Sequence, residues 1–311
     1  MPTLPHEGYN DVDALISPQD ECNGLVQAFP YTLSRLLDDN KVTISLSSIH
    51  IYPVKALGGI SLSQALVSSR GLQYDRRFLV VNANYQFLTQ REYPKMATVW
   101  VGIENGAVVF SAPDMEDISF PTAPMELPAR SVKVWSSEST AHAVSPEADR
   151  WLSEYLGAEV HLLYMPDSAA RPVSPEFAKN SEIVSFADGY PFLIASESSL
   201  SDLNARIVAN GGQALPMNRF RPNLVIAGCD AFAEDRLGEI AIGEAVFRAV
   251  KPCVRCQVTT TDQVEGVVRG PEPLRTLATY RDSPNGVMFG MNLIPVKLGT
   301  VRTGDVVRLA D

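Results

Sequence analysis

The 311-residue chain is short of the residues that most readily announce a function. Histidine occurs four times, at His6, His50, His142 and His161, never beside another histidine or a cysteine, which argues against a His-rich zinc centre. Cysteine occurs at Cys22, Cys229, Cys253 and Cys256, too sparsely for a disulfide framework in a chain of this length. No apolar run reaches the length of a membrane span. The first forty residues hold neither a basic stretch followed by an apolar one nor an arginine-rich pattern, so no secretory signal or transit peptide is read there. No glycine-rich nucleotide loop, phosphate loop or nucleophile elbow is found. A net charge of −10 leaves no basic face for phosphates, which sets nucleic acid aside as a main partner. The expectation is a soluble cytoplasmic protein, free of membrane and nucleic acid.

Apolar residues make up 45% of the chain, enough to give one large or two ordinary domains a core. Residues 1–42 form an acidic arm with seven acids against two bases, with a short helix conceivable at 31–37. From Val42 the pattern alternates at period two, and short strands follow in series at 42–52, 78–82, 99–103, 107–111, 131–135 and 140–144. Glu104-Asn-Gly106 marks a hairpin between two of them. Pro146, Glu147, Asp149 and Gly157 bracket a helix over 146–155, and a strand follows at 159–164. The Pro- and Ser-rich stretch 165–176 reads as a linker or flexible loop. Beyond it come an apolar strand at 191–195, a helix at 198–210 capped by Ser196 or Ser198, and a strand at 223–228. A hairpin at 239–247, a short helix near 272–280 and a closing strand at 299–309 complete the chain. The fold class expected is β-rich mixed α/β: an N-terminal β-barrel domain at 43–165, then a second β-barrel domain with peripheral helices at 180–311.

Three groups of residues carry candidate chemistry. Lys251-Pro-Cys-Val-Arg-Cys256 puts two thiols beside two cations, which favour the reactive thiolate. The β-branched run Val258–Thr261 predicts a strand after the pair, unlike a thioredoxin helix, and Gln257 stands where haem attachment needs a histidine. A single thiolate on a soft metal, a redox pair and two structural thiols all stay open. The second group comprises Lys55 after Tyr52-Pro-Val, Arg77 in Asp75-Arg-Arg-Phe78, and Arg221 in Asn218-Arg-Phe-Arg-Pro-Asn223. Each sits among apolar residues and needs an anion, either a phosphate-bearing cofactor or three unrelated salt bridges. The third is Ser185-Phe-Ala-Asp-Gly-Tyr-Pro191, a tight turn whose amides suit a ligand but equally an ordinary bend.

Taken in series, Tyr52-Pro-Val-Lys55, Asp75-Arg-Arg-Phe78, Phe186-Ala-Asp-Gly-Tyr-Pro-Phe192, Phe220-Arg-Pro-Asn223, Lys251–Cys256, Thr259-Thr260 and Phe289-Gly-Met-Asn292 closely resemble the MOSC-domain molybdenum proteins. The nearest likeness is to the bacterial YcbX group and the mitochondrial amidoxime-reducing component. The resemblance spans residues 43 to 311. It implies an N-terminal β-barrel plus a MOSC domain, a molybdenum–molybdopterin cofactor, and metal ligation by Cys256. Cys253 falls near the metal without ligating it. The implied cofactor contacts are Lys55, Arg77, Asp188, Gly189, Tyr190, Arg221, Asn223, Arg255 and Asn292. The implied activity is detoxifying reduction of small N-hydroxylated compounds: hydroxylamines, amidoximes and N-hydroxylated bases. Two electrons and two protons are consumed and water released. The implied electron donor is a separate flavoprotein or ferredoxin-type reductase, because no ferredoxin-like cysteine cluster is present.

Two departures from the family pattern are Ala56 where serine is usual and Met291 where glutamine is usual. The other roles open to a chain of this resemblance are cofactor carriage or sulfur transfer, and a β-rich interaction protein without cofactor. Asp188 is the one candidate proton donor.

Overall fold

A computed structural model describes residues 43–123 and 129–310. The acidic arm, with the short helix expected at 31–37, lies outside the described residues. Strands dominate. The first half holds β1 (Ser45–Ile51), β2 (Ile60–Leu62), β3 (Gln64–Ser68), β4 (Gly71–Leu72), β5 (Phe78–Asn82), β6 (Trp100–Glu104), β7 (Ala107–Ser111) and β8 (Ile118–Pro121). After these come β9 (Ala129–Val134), β10 (Ser137–Ala143), helix α1 (Pro146–Leu156) and β11 (Val160–Tyr164). The second half holds β12 (Phe192–Ser196), α2 (Glu197–Ala209), β13 (Leu224–Ala227), β14 (Glu239–Ile242), β15 (Ala245–Val254), α3 (Leu274–Leu277), β16 (Met288–Lys297), β17 (Gly299–Arg302) and β18 (Val307–Leu309).

The largest sheet runs β18-β14-β15-β16-β12-β13-β1-β2. It curls until β1, the strand before its last, meets the residue ahead of β18 at a single bridge, Ser45 to Val306, rather than a full ladder, so it is an open half-barrel and not a closed barrel. Smaller sheets, β5-β11-β10-β9, β6-β7-β8 and β17-β3-β4, complete the fold. Two strand pairings cross the division drawn at residues 165–180. β1 pairs with β13, and β17 returns to β3. The period-two pattern of β1 is what a strand needs to bury one face, and it buries that face in the second half's core.

The helices follow their caps. Ser145 accepts from Ala148 N–H, and Gly157 closes α1 at φ 69. Trp151, Leu152, Tyr155 and Leu156 then face the core around Phe78 and Phe110. Ser196, not Ser198, caps α2. α2 is the crossover between β12 and β13, the parallel pair of the large sheet. That pairing places the starts of β12 and β13 at one edge, and the antiparallel β1 ends at the same edge. Three loops, 52–55, 185–191 and 218–223, are therefore brought together by topology alone.

Three local expectations need correction. Val258–Thr261 is no strand. Gln257–Thr260 form a 3-10 turn in which the Thr259 and Thr260 hydroxyls donate to the Cys256 and Gln257 carbonyls, so side-chain bonding overrides β propensity. The helix expected at 272–280 shrinks to α3. The stretch 165–176 is no loose linker, because Arg171, 2% exposed, anchors it. In the motif Phe289-Gly-Met-Asn292, Gly290 has φ 79, and a Cβ there would sit 2.8 Å from the Ile194 carbonyl, so only glycine fits.

Candidate functional site

At the shared edge, Tyr52 lies between two guanidiniums, with Arg76 and Arg221 each 4.2 Å from its ring centroid. Its hydroxyl donates to the Pro222 carbonyl. Beneath Arg76 is Asp75, 2% exposed, which accepts from Arg76 Nη1 at 2.8 Å and from the Tyr52 amide at 2.8 Å. The Asp75-Arg-Arg-Phe78 motif thus sends its first arginine to the site. Arg77 points elsewhere, to the Met165 carbonyl, the Tyr164 hydroxyl and Asp167, and it is Arg76, not Arg77, that lines the cavity at this edge.

Lys55 is 8% exposed and donates to the Phe186 carbonyl and to Asp188. Burial pushes its ammonium down, with Asp188 opposing. Crowding by protein atoms disfavours charge on Asp188, although its side chain is open to solvent on one side. The Lys55 charge and hydrogen bond, joined by the Trp135 indole N–H at 3.0 Å, outweigh that and hold the carboxyl well below the usual range. Arg171 donates to the carbonyls of Ser185, Ala187 and Asp188 at 2.7, 2.5 and 2.6 Å, fixing the turn from behind.

A depressed carboxyl contributes stability that is present above its unfolded value, about pH 4, and is lost as pH falls through the lower folded value. The stability advantage of wild type over Asp188→Asn is therefore expected to narrow steadily below about pH 4. Urea midpoints at pH 7 and pH 3 check this, and an advantage that is constant or larger in acid counts against it.

The cysteine stretch divides. Cys253 lies in β15 and its sulfur accepts from Arg255 Nη1 at 2.9 Å. Arg255 Nη2 reaches the Phe220 carbonyl at 2.6 Å. Lys251 faces the Phe177 ring instead of the thiols, so of the two expected cations only Arg255 reaches a sulfur, that of Cys253. Cys256 follows the strand's end, exposed, and no hydrogen bond to its sulfur occurs among the described residues. The thiols are free, so no disulfide joins the pair.

Lys55, Arg76, Trp135, Asp188, Arg221, Cys253, Arg255 and Cys256 line one cavity of about 160 Å³, together with Gly189, Tyr190, Asn223 and Asn292. Of the expected contacts, all but Arg77 meet there. The two asparagines are engaged by the backbone. The Asn223 amide donates to the His50 carbonyl and accepts from the Leu193 amide, and Asn292 donates to the Lys251 carbonyl. The Tyr190 hydroxyl is pushed up to about 12 by burial, then by Glu176. Burial likewise brings Arg221 down to about 10.

The polar balance of the lining suits an anion. Lys55, Arg76, Arg91, Arg221 and Arg255 line the cavity against Asp188 as its acid, and Arg221 Nη2 and Arg255 Nε are buried without a protein partner. A buried unpaired guanidinium N–H is costly, and a bound oxyanion would relieve it. At Gly189 an added Cβ would meet nothing within 4 Å, so the backbone there is open to close approach. Sequence reasoning missed Arg76, Arg171, Gln90, Arg91, Trp135 and Gln263. Gln90 and Gln263 exchange amide bonds at 2.8 and 3.1 Å, and Gln90 also donates to the Ala56 carbonyl. Only the doubled arginine of Asp75-Arg-Arg-Phe78 carried a signal, and the alternation did not say which one turned inward.

A curled sheet whose edge collects cations, an open turn and one unbonded exposed thiol makes a site fitted to an anionic group beside a soft sulfur donor. Family comparison is in keeping with this: residues 43–159 match the MOSC N-terminal beta barrel domain and residues 181–308 the MOSC domain. The chain belongs to the family that joins these two domains. It is 32% identical over 281 residues to mitochondrial amidoxime reducing component 2 of Macaca fascicularis, across 85% of this chain and 82% of the relative. Against mitochondrial amidoxime-reducing component 1 of Homo sapiens the figures are 29% over 300 residues, 91% and 87%. Molybdenum cofactor sulfurase of Oryza sativa subsp. japonica is 32% identical over 267 residues, which is 80% of this chain but 32% of that protein. No helix among the described residues is long and apolar enough to cross a membrane.

Proposed function

We propose that the chain is a molybdenum-cofactor-dependent reductase of small N-hydroxylated compounds, namely hydroxylamines, amidoximes and N-hydroxylated bases. The observation that carries this reading is the exposed, unbonded Cys256 thiol opening onto a cavity whose buried arginines keep unpaired donors. Cys256 would ligate molybdenum, and Arg76, Arg221, Arg255 and Lys55 would hold the anionic part of the cofactor. Bound there, the cofactor would supply the two-electron chemistry of N–O reduction.

The protein's part is positioning and charge. Asp188, held ionised, accepts hydrogen bonds and offers no proton, which removes it as the acid for N–O cleavage. Tyr190 keeps its proton at neutral pH. A separate flavoprotein or ferredoxin-type reductase supplies electrons in this reading. A cytoplasmic location accompanies it, since free thiols suit a reducing compartment.

Cofactor carriage or sulfur transfer is the second reading, favoured by the likeness to the rice sulfurase. Protein made in a host that produces the cofactor decides between them. Molybdenum per chain is measured, then benzamidoxime reduction by reduced methyl viologen. Near-stoichiometric metal with turnover is expected. Full metal without turnover would turn the assignment to a carrier, and correctly folded protein with little metal would overturn both.

A further inference from the structure

The turn between β9 and β10 holds a residue that the proposed reaction leaves without a task. Val134 pairs with Ser137, so Trp135 and Ser136 form a two-residue loop. Trp135 has φ 56, in the left-handed region where glycine is at ease and a bulky side chain is strained. Such strain persists only where the surroundings hold it, and three contacts do so here. The indole N–H donates to Asp188 at 3.0 Å, Phe87 meets the ring edge-on at 5.1 Å, and the Arg91 guanidinium lies 4.9 Å over it. Trp135 nevertheless stays 44% exposed while lining the same cavity as Cys256. An indole that is rigidly placed, with its N–H already committed, has only its π face left to offer.

We propose that Trp135 is a specificity-determining residue, a stacking wall that selects N-hydroxylated substrates whose N–O group is conjugated to a planar ring over aliphatic ones. This inference rests on the reductase reading above. Aromatic rings prefer offset or edge-on contact with such a face, and an aliphatic group gains little from it. Arg91 strengthens the wall from one side, having no acidic partner among the described residues.

The test uses molybdenum-loaded wild type, Trp135→Phe and Trp135→Ala, with kcat and KM measured separately for benzamidoxime and acetamidoxime under reduced viologen. Molybdenum per chain is determined for each. Trp135→Ala is expected to lower the benzamidoxime-to-acetamidoxime ratio of kcat/KM about tenfold, mainly through the KM for benzamidoxime. Trp135→Phe, which keeps a face but loses the N–H, should retain most of that ratio. Without reductant, benzamidoxime should quench indole fluorescence in wild type and far less in Trp135→Phe.

An unchanged ratio in Trp135→Ala, or an unchanged quench in Trp135→Phe, overturns the proposal. So does an equal loss of both substrates together with molybdenum, because Trp135 would then act through Asp188 on the cofactor. Wild type that reduces neither compound sinks the reductase reading instead, and the quench then decides Trp135 by itself.

Discussion

Replacing Cys256 by alanine is expected to bring viologen-driven reduction of benzamidoxime down to background while the protein still folds. Both halves of that expectation come from the same local geometry. The Cys256 backbone carbonyl accepts from Thr259, through its amide at 3.0 Å and its hydroxyl at 2.9 Å, and alanine keeps both bonds. The sulfur itself is exposed and unbonded, so its removal should change stability by no more than about 0.5 kcal/mol, as for other surface substitutions.

Function has no such substitute. In the reading proposed above Cys256 is the one soft donor offered to the metal, and among the described residues no group of three or more His, Cys, Asp or Glu side chains is arranged to take its place. The other nearby thiol, Cys253, is occupied by Arg255. Cys253→Ala should therefore keep a measurable share of the activity. Turnover assays and urea curves on both variants check this, and full activity in Cys256→Ala would end the ligand assignment.

Asp75→Ala should be the most damaging single change to the fold's site edge, costing about 3–5 kcal/mol. The reason is not that the pair is strongly stabilising. Burial drives the Asp75 carboxyl above its usual range despite Arg76, so the native ion pair gains little beyond its own desolvation cost. Removing the acid is another matter. It strands Arg76 against Arg221 across the Tyr52 ring and leaves the Tyr52 amide without its acceptor.

Tyr74 at φ 69 and Arg76 at φ 48 flank Asp75, and that strained backbone loses the contact that holds it. Asp75→Asn, which preserves an acceptor for the amide, should lose less. Equilibrium urea denaturation measures both, and a cost for Asp75→Ala under about 1 kcal/mol would contradict the argument.

The features that were legible in the sequence are those governed by local rules. Ser145, Pro146 and Gly157 mark α1 with their own chemistry, and Glu104-Asn-Gly106 marks the turn between β6 and β7. The site residues were legible as motifs because each sits in a loop of unusual composition. What stayed hidden depends on partners distant in the chain. Arg171 looks like one more residue of a Pro-rich stretch until Ser185, Ala187 and Asp188 present their carbonyls to it. Trp135 looks like the end of a strand until Asp188, 53 residues on, accepts its N–H. Val258–Thr261 misled for the opposite reason, since threonine hydroxyls bonded to carbonyls three residues back make a turn from a strand-like composition.

The pairing of β1 with β13 also sets a schedule for synthesis. Ser45 cannot meet Ala227 until the chain between them has been made. At roughly 5–20 residues per second, that leaves the apolar face of β1 without its place in the sheet for on the order of ten to forty seconds. Leu46, Ile49 and Ile51, all fully buried in the finished protein, wait that interval for the second-half residues of their core, among them Phe192, Leu224 and Ile226. Release of the nascent chain just past β13 would thus yield a product able to pair β1 on both sides but lacking β14 to β18 of the sheet.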